Sequence, residues 1–253
     1  MNTKTVYSSK AEKYARYRWD YAPPAIQAIY DMAHITRASS VADIGAGTGI
    51  LTRHFAGRAG LVWAIEPNAE MRRLAEKALR PDAACVIVDG SAEATTLADH
   101  SVDLIAVAQA IHWFDPEPTR AEFLRILKPG GWLAVLRNYG TDDELGRAAD
   151  GLLIPENGVD FSRISRPPDK KPVDFYYGHD AFQRRTFPFS SRQNWEEFIG
   201  SLLTASYMPD EDHSLYRNLE NAARRVFDEF SADGWLEVRG ETELVIGQPT
   251  QSC

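Results

Sequence analysis

Asp43-Ile44-Gly45-Ala46-Gly47-Thr48-Gly49 is the stretch that decides the fold of this chain. It grows out of Val41-Ala42-Asp43-Ile44, a short apolar run that reads as a strand. It leads into residues 50–56, where Ile50, Leu51, His54 and Phe55 recur at helical spacing. A strand that breaks into alternate glycines and re-enters as a helix is a turn built to meet a nucleotide-like ligand. Residues without a Cβ let the backbone bend sharply and approach the ligand, and the following helix start offers unpaired N–H groups.

Three side chains narrow that ligand. The dinucleotide fingerprint requires glycine at the last position of G-x-G-x-x-G, where this chain has Ile50. Asp43, two residues ahead of Gly45, would repel a pyrophosphate and suits a ligand carrying an ammonium group. Glu66 closes the next apolar run, residues 61–65, where a carboxylate can accept hydrogen bonds from both hydroxyls of a ribose. These residues select a ligand with a ribose and a cation but no phosphate, and disfavour a nicotinamide-dependent oxidoreductase.

Working outward, further strands are predicted over 84–88, 102–108 and 132–136. Helices are predicted over 69–79, with Met71, Leu74, Ala75 and Ala78 as the apolar stripe, and over 119–127, stopped and turned by Lys128-Pro129-Gly130-Gly131. Strands alternating with helices, and apolar without period-two alternation, give an α/β fold. It is Rossmann-like and doubly wound, with a mostly parallel sheet covered by helices on both faces. Residues 141–185 are polar, carry Pro155, Pro167, Pro168 and Pro172, and read as an insertion after the fifth strand. Their cluster Phe175-Tyr176-Tyr177 argues against disorder. Beyond them come a strand over 185–189, where Pro188 suggests a sheet edge or an irregularity, helices over 192–203 and 213–230, and a final strand over 235–246.

The chain has 253 residues, 44% hydrophobic and 25% charged, with a formal net charge of −8. An acidic chain lacks the basic stripe that phosphate neutralisation demands, so nucleic acid is disfavoured as a partner and a small molecule favoured. There are two cysteines, Cys85 in a run that reads as a buried strand and Cys253 at the end. They do not suggest a disulfide, and with scattered histidines they give no metal-ligand spacing. No signal-like segment or membrane span is legible, so a cytoplasmic location is expected.

Four segments share their order and spacing with a known family. They are residues 43–49, Gly90-Ser91-Ala92-Glu93, Ala108-Gln109-Ala110-Ile111-His112-Trp113-Phe114-Asp115 and Leu127-Lys128-Pro129-Gly130-Gly131. On them, residues 41–138 resemble the core of class I S-adenosylmethionine-dependent methyltransferases, and are similar to the small-molecule group with the ubiquinone-pathway and trans-aconitate enzymes. The resemblance implies S-adenosylmethionine as cofactor, held by Asp43, Gly45, Ala46, Gly47, Glu66, Pro67, Ala108 and Gln109. It implies that Ser91 and the Ala92 backbone face the adenine edge, although many members have aspartate where Ser91 stands. It would put Met71 near the adenine face, where the plainer reading is core packing. Tyr14 to Tyr21 resembles an element that covers the cofactor, with Arg18 on the methionine carboxylate and Tyr14 at the same end. Relatives have proline where this chain has Trp19. The alternative for that segment is an amphipathic helix with solvated arginines.

One domain is therefore expected over 1–253. Residues 1–38 would cover the cofactor, 39–140 form the binding core, 141–185 lie near the substrate pocket, and 186–253 complete the sheet. His112, after the fourth strand, is the candidate general base, or else shapes the pocket beside Trp113 and Phe114. Tyr21, His112, Trp113, Arg137 and Tyr139 are the substrate candidates, with Asn138, Arg163, Arg166, Tyr176, Tyr177 and His179 as further polar groups. The expected reaction is methyl transfer to a carboxylate or hydroxyl of a small metabolite, where only the hydroxyl would need a base. The alternatives are a non-catalytic cofactor-binding module, or a methyltransferase acting on protein or RNA. No Asn-Pro-Pro-Tyr or Asp-Pro-Pro-Tyr follows the fourth strand, which weakens a nucleic-acid amino-methyltransferase.

Overall fold

The computed structural model describes residues 10–79, 84–163, 169–178 and 182–250. Arg166, His179, Cys253 and the side chain of Arg163 lie outside what it describes. In chain order the main elements are α1 (Ala11–Tyr17), α2 (Pro23–Met32), β1 (Ser40–Ile44), α3 (Thr52–Phe55), β2 (Leu61–Ile65), α4 (Ala69–Leu79), β3 (Cys85–Val88) and β4 (Val102–Ala108). They continue with α5 (Pro116–Ile126), β5 (Leu127–Gly140), α6 (Glu144–Asp150), β6 (Phe182–Gln193), α7 (Trp195–Leu203), α8 (Tyr216–Phe230) and β7 (Leu236–Gly247).

The seven strands form one sheet in the order β3-β2-β1-β4-β5-β7-β6. The first five pair in parallel, with Asp43 opposite Ala64 on one side and Ala106 on the other. At one end of the β5–β7 pair Gln248 donates to the carbonyl of Gly130, and at the other Thr141 donates to that of Arg239, so these two strands run antiparallel. Val41, Ala42 and Ile44 of β1, and Leu104 to Val107 of β4, are wholly buried. Burial on both faces is why these runs show no polar alternation.

The chain divides into two compact units. The core unit holds the described residues among 20–137, 169–187 and 242–250. Its interior joins Ile44, Ile65, Ile105 and Val135 to Tyr176 and Tyr177. The second unit holds residues 10–19, 138–163 and 188–241, around Phe198, Leu203, Leu219, Phe227 and Val238.

Several sequence-based boundaries shift. The helix expected over 50–56 is one turn, Thr52–Phe55, because the glycine turn extends through Ile50 and Leu51. Lys128-Pro129-Gly130-Gly131 does not separate helix from strand but lies inside β5, with Gly130 left-handed at φ +77°. Cys85 is half-buried rather than buried, since β3 is at the sheet edge. The described residues of 141–185 divide between the two units. Their aromatic cluster is core: the Tyr177 hydroxyl donates to the carbonyl of Val245 at 2.9 Å and contacts that of Leu133 at 3.3 Å. As Pro188 suggested, β6 is an edge strand, and it is longer than expected.

Candidate functional site

β1 and β4 adjoin in the sheet but not in the chain, so a crevice opens outside their carboxyl ends. The two loops singled out in the sequence both leave from there. Gly45, at φ +72°, packs so closely that a Cβ on it would lie 2.7 Å from the Cβ of Ala110. Gly47, at φ +57°, has nothing within 4 Å of where its Cβ would be. Gly45 therefore locks the two loops together, and Gly47 leaves a cradle open.

The amides of this loop are already engaged. Gly45 and Ala46 donate to the carbonyl of Ile65 at 2.8 and 3.0 Å, and Gly47 donates to Glu66 Oε2 at 2.9 Å. A phosphate would find these three donors taken and a carboxylate beside them. Glu66 is buried and accepts a second amide, from Asn68, on Oε1 at 2.8 Å. Burial pushes its pKa up, and the amides of Asn68 and Gly47 hold it down. Each carboxylate oxygen keeps acceptor capacity, so Glu66 can still receive two hydroxyl hydrogens.

The turn carrying Glu66 is fixed from α4. Asn68 Oδ1 caps that helix by accepting the amides of Glu70 and Met71 at 3.0 and 3.1 Å. Arg72 donates to the Glu66 carbonyl at 2.8 Å. Met71 is buried one turn on.

Asp43 lies under the loop, 1% exposed, with Oδ2 accepting from the Thr52 hydroxyl at 2.6 Å. Its Oδ1 is buried without a hydrogen-bond partner, and so is the hydroxyl of Thr48. Burial, with the nearby Glu66 carboxylate adding to it, pushes the Asp43 pKa up to about 7 against the Thr52 hydrogen bond. Unmet polar atoms of this kind cost roughly 1–3 kcal/mol each. Their presence in an open glycine cradle is what a bound polar ligand would relieve. S-adenosylmethionine suits this donor and acceptor set: it has ribose hydroxyls for Glu66 and an ammonium group, and it lacks a phosphate. Thr48 and Asn68 are absent from the sequence-based site; a hydroxyl between two glycines, and an asparagine just ahead of a helix, were the available signals.

Elsewhere in the core unit, Ser91 and Ala94 exchange two backbone hydrogen bonds of 3.2 Å. That tight turn buries Ala92 in the cluster with Ile44, Ile65, Ile111 and Phe114. Gln109, following Ala108 at the end of β4, is left-handed at φ +55° and donates to the Leu136 carbonyl at 3.0 Å. A non-glycine residue held there is strained, and such residues cluster at functional sites. His112 is half-buried in a single 3-10 turn, its ring centroid 4.9 Å from that of Trp113. Tyr21 is buried, Arg137 is half-buried, and Pro67 follows Glu66 in the capped turn. The second unit holds Tyr14, Arg18 and Tyr139. There Arg18 donates to the Thr204 hydroxyl at 3.3 Å and lies 5.5 Å from the centre of the Tyr14 ring, while Tyr139 is exposed. Among the described residues, no helix is long and apolar enough to cross a membrane.

Comparison with known proteins agrees with this geometry. Residues 42–135 match the methyltransferase domain family. An uncharacterized methyltransferase of Mycobacterium tuberculosis (strain ATCC 25618 / H37Rv) is 39% identical over 153 residues, 60% of this chain and 60% of that protein. A ubiquinone/menaquinone biosynthesis C-methyltransferase of Neisseria meningitidis is 33% identical over 109 residues, 41% of this chain and 44% of that protein. The chain thus matches less than two thirds of the length of these curated relatives. A solved structure from Anaeromyxobacter dehalogenans, assigned as a type II methyltransferase, superposes with a TM-score of 0.64 at 22% identity, covering 92% of this chain and 100% of that one. At that identity the likeness is one of fold.

Proposed function

Starting from a chain whose residues 42–135 belong to the class I S-adenosylmethionine-dependent methyltransferases, we propose that it transfers a methyl group from S-adenosylmethionine to a small molecule. The observation that carries this reading is the open cradle at Gly47, bounded by the buried Glu66 carboxylate and the unpartnered Oδ1 of Asp43. A small-molecule acceptor is supported by the acidic net charge and by the relative that acts in quinone biosynthesis. A cytoplasmic location accords with this reading.

In it, Glu66 accepts from the ribose hydroxyls, beside Pro67. The backbone of Gly45 to Gly47 and the Asp43 carboxylate hold the amino-acid end. Ser91, Ala92 and Met71 line the adenine, and Ala108 and Gln109 close the cradle from β4. Bound S-adenosylmethionine supplies a methyl group already activated by its sulfonium. The protein therefore has to align the acceptor and exclude water. Tyr21, Trp113 and Arg137 are the acceptor-side residues. His112 takes the proton at a ring nitrogen when the acceptor is a hydroxyl.

Calorimetric titration tests the cofactor assignment: S-adenosylhomocysteine should bind and NAD should not. Binding of NAD in its place would overturn the reading. His112→Ala should lower turnover on a hydroxyl acceptor by about 100-fold or more, within the range of general-base catalysis, with S-adenosylhomocysteine affinity intact. A loss of only a few-fold would reduce His112 to a pocket residue.

A further inference from the structure

The second unit contains a cavity of about 420 Å³. Its walls include Trp19, Leu145, Leu202, Tyr207, Met208 and Val238. That volume lies within the roughly 300–1,000 Å³ range of small-molecule sites, and beside these side chains the lining carries polar ones, among them Asn138, Thr141, Ser201 and Thr204.

Trp19 is the informative wall residue. Its Nε1 is buried and has no hydrogen-bond partner. An indole N–H only donates, so its partner must be an acceptor, which a ligand oxygen can supply. The ring is held in place: Phe189 packs against it edge to face, with centroids 5.6 Å apart and planes at 73°. The backbone has also left α1 one residue earlier, with Arg18 extended at φ −67°, ψ 135°.

The charged residues on the lining are Arg18, Arg239, Asp143 and Asp150, whose formal charges cancel. Asp143 is engaged as a helix cap, accepting from Gly146 at 2.8 Å and from the Thr141 hydroxyl at 2.9 Å. Arg239 lies 3.4 Å from Glu237. A cavity with a mixed lining, an unmet buried donor and no formal net charge favours a neutral molecule, because a charged one would lose hydration without full compensation.

We propose that this cavity binds an uncharged, largely apolar small molecule whose carbonyl or hydroxyl oxygen accepts from Trp19 Nε1, which makes Trp19 a specificity-determining residue.

Three probes that share a styryl group test this on the full chain by ligand-observed NMR: methyl cinnamate (neutral, with a carbonyl), cinnamate (anionic) and β-methylstyrene (no oxygen). Methyl cinnamate should bind saturably. β-Methylstyrene should bind at least fivefold more weakly, and cinnamate more weakly than methyl cinnamate. Trp19→Phe should erase the preference for the carbonyl, weakening methyl cinnamate at least threefold and leaving β-methylstyrene unchanged. Leu202→Trp should fill the cavity and weaken every probe at least tenfold, leaving S-adenosylhomocysteine binding unchanged. If circular dichroism shows that variant unfolded, Ala149→Phe, elsewhere on the lining, replaces it. Absence of saturable binding, tightest binding of cinnamate, or a carbonyl preference that survives Trp19→Phe would overturn the proposal. Failure of the wild type to bind S-adenosylhomocysteine would instead sink the methyl-transfer reading, while the probe series still reports on the cavity.

Discussion

Asp43 combines an ordinary sequence position with an unusual environment. As a letter before three glycines it suggested a counter-charge for a cation. In the fold it is also a buried acid with one satisfied oxygen, its pKa pushed up to about 7 from an ordinary 3.8. The sign of the pH effect follows. Between those values the unfolded chain carries an ionised Asp43 while the ligand-free fold keeps it protonated. The stability from this group is thus fully present below the unfolded pKa and is lost as pH rises through about 7. Denaturation of the ligand-free protein from pH 4.5 to 8 should show this downward slope in the wild type, and Asp43→Asn should flatten it. An equal slope in both would mean that other groups cause it. An ammonium-bearing ligand favours the ionised form, so S-adenosylhomocysteine affinity should rise with pH over the same window. Glu66 was equally legible at this scale, since a strand end was enough to place it. Thr48 was not, because an unmet hydroxyl is a property of its surroundings.

At the scale of elements, contacts between helices decide effects that propensity would misjudge. Gly200 sits inside α7, where glycine to alanine ordinarily gains about 1 kcal/mol of helix stability. Here a Cβ would lie 2.6 Å from the Tyr17 ring of α1, whose hydroxyl is anchored on Glu196 at 2.6 Å. Gly200→Ala should therefore destabilise the protein, by about 1–3 kcal/mol as for overpacking elsewhere. Urea denaturation checks this, and a stabilised variant would show that Tyr17 swings aside freely. Lys10, at the start of α1, reinforces the same pairing by donating to the carbonyls of Leu203, Ala205 and Met208 around the end of α7. Nothing in the local sequence marks either contact, because the partners lie 179 and 193 residues apart. The capping box of α7, Asn194 with Glu197, is by contrast a purely local pattern.

For the whole molecule, the two compact units give ligand binding a spatial signature. Ligands stabilise what they bind by mass action. S-adenosylhomocysteine should raise the melting temperature and slow amide exchange chiefly over residues 43–49 and 64–71 of the core unit. A cavity probe should protect residues 143–153 and 198–208 of the second unit. Protection confined to the second unit on adding S-adenosylhomocysteine would contradict the cofactor site. The sequence by itself determined the parallel strands, the glycine turn and the acids Asp43 and Glu66, because these depend on periodicity and on residues close in the chain. Only the tertiary structure decided that 141–185 divides between two units, that Tyr176 and Tyr177 are core, and that Trp19 lines a cavity with its N–H unmet. Those outcomes depend on which distant segments come into contact. Burial of a polar atom is set by everything packed around it, and no local pattern of residues encodes that.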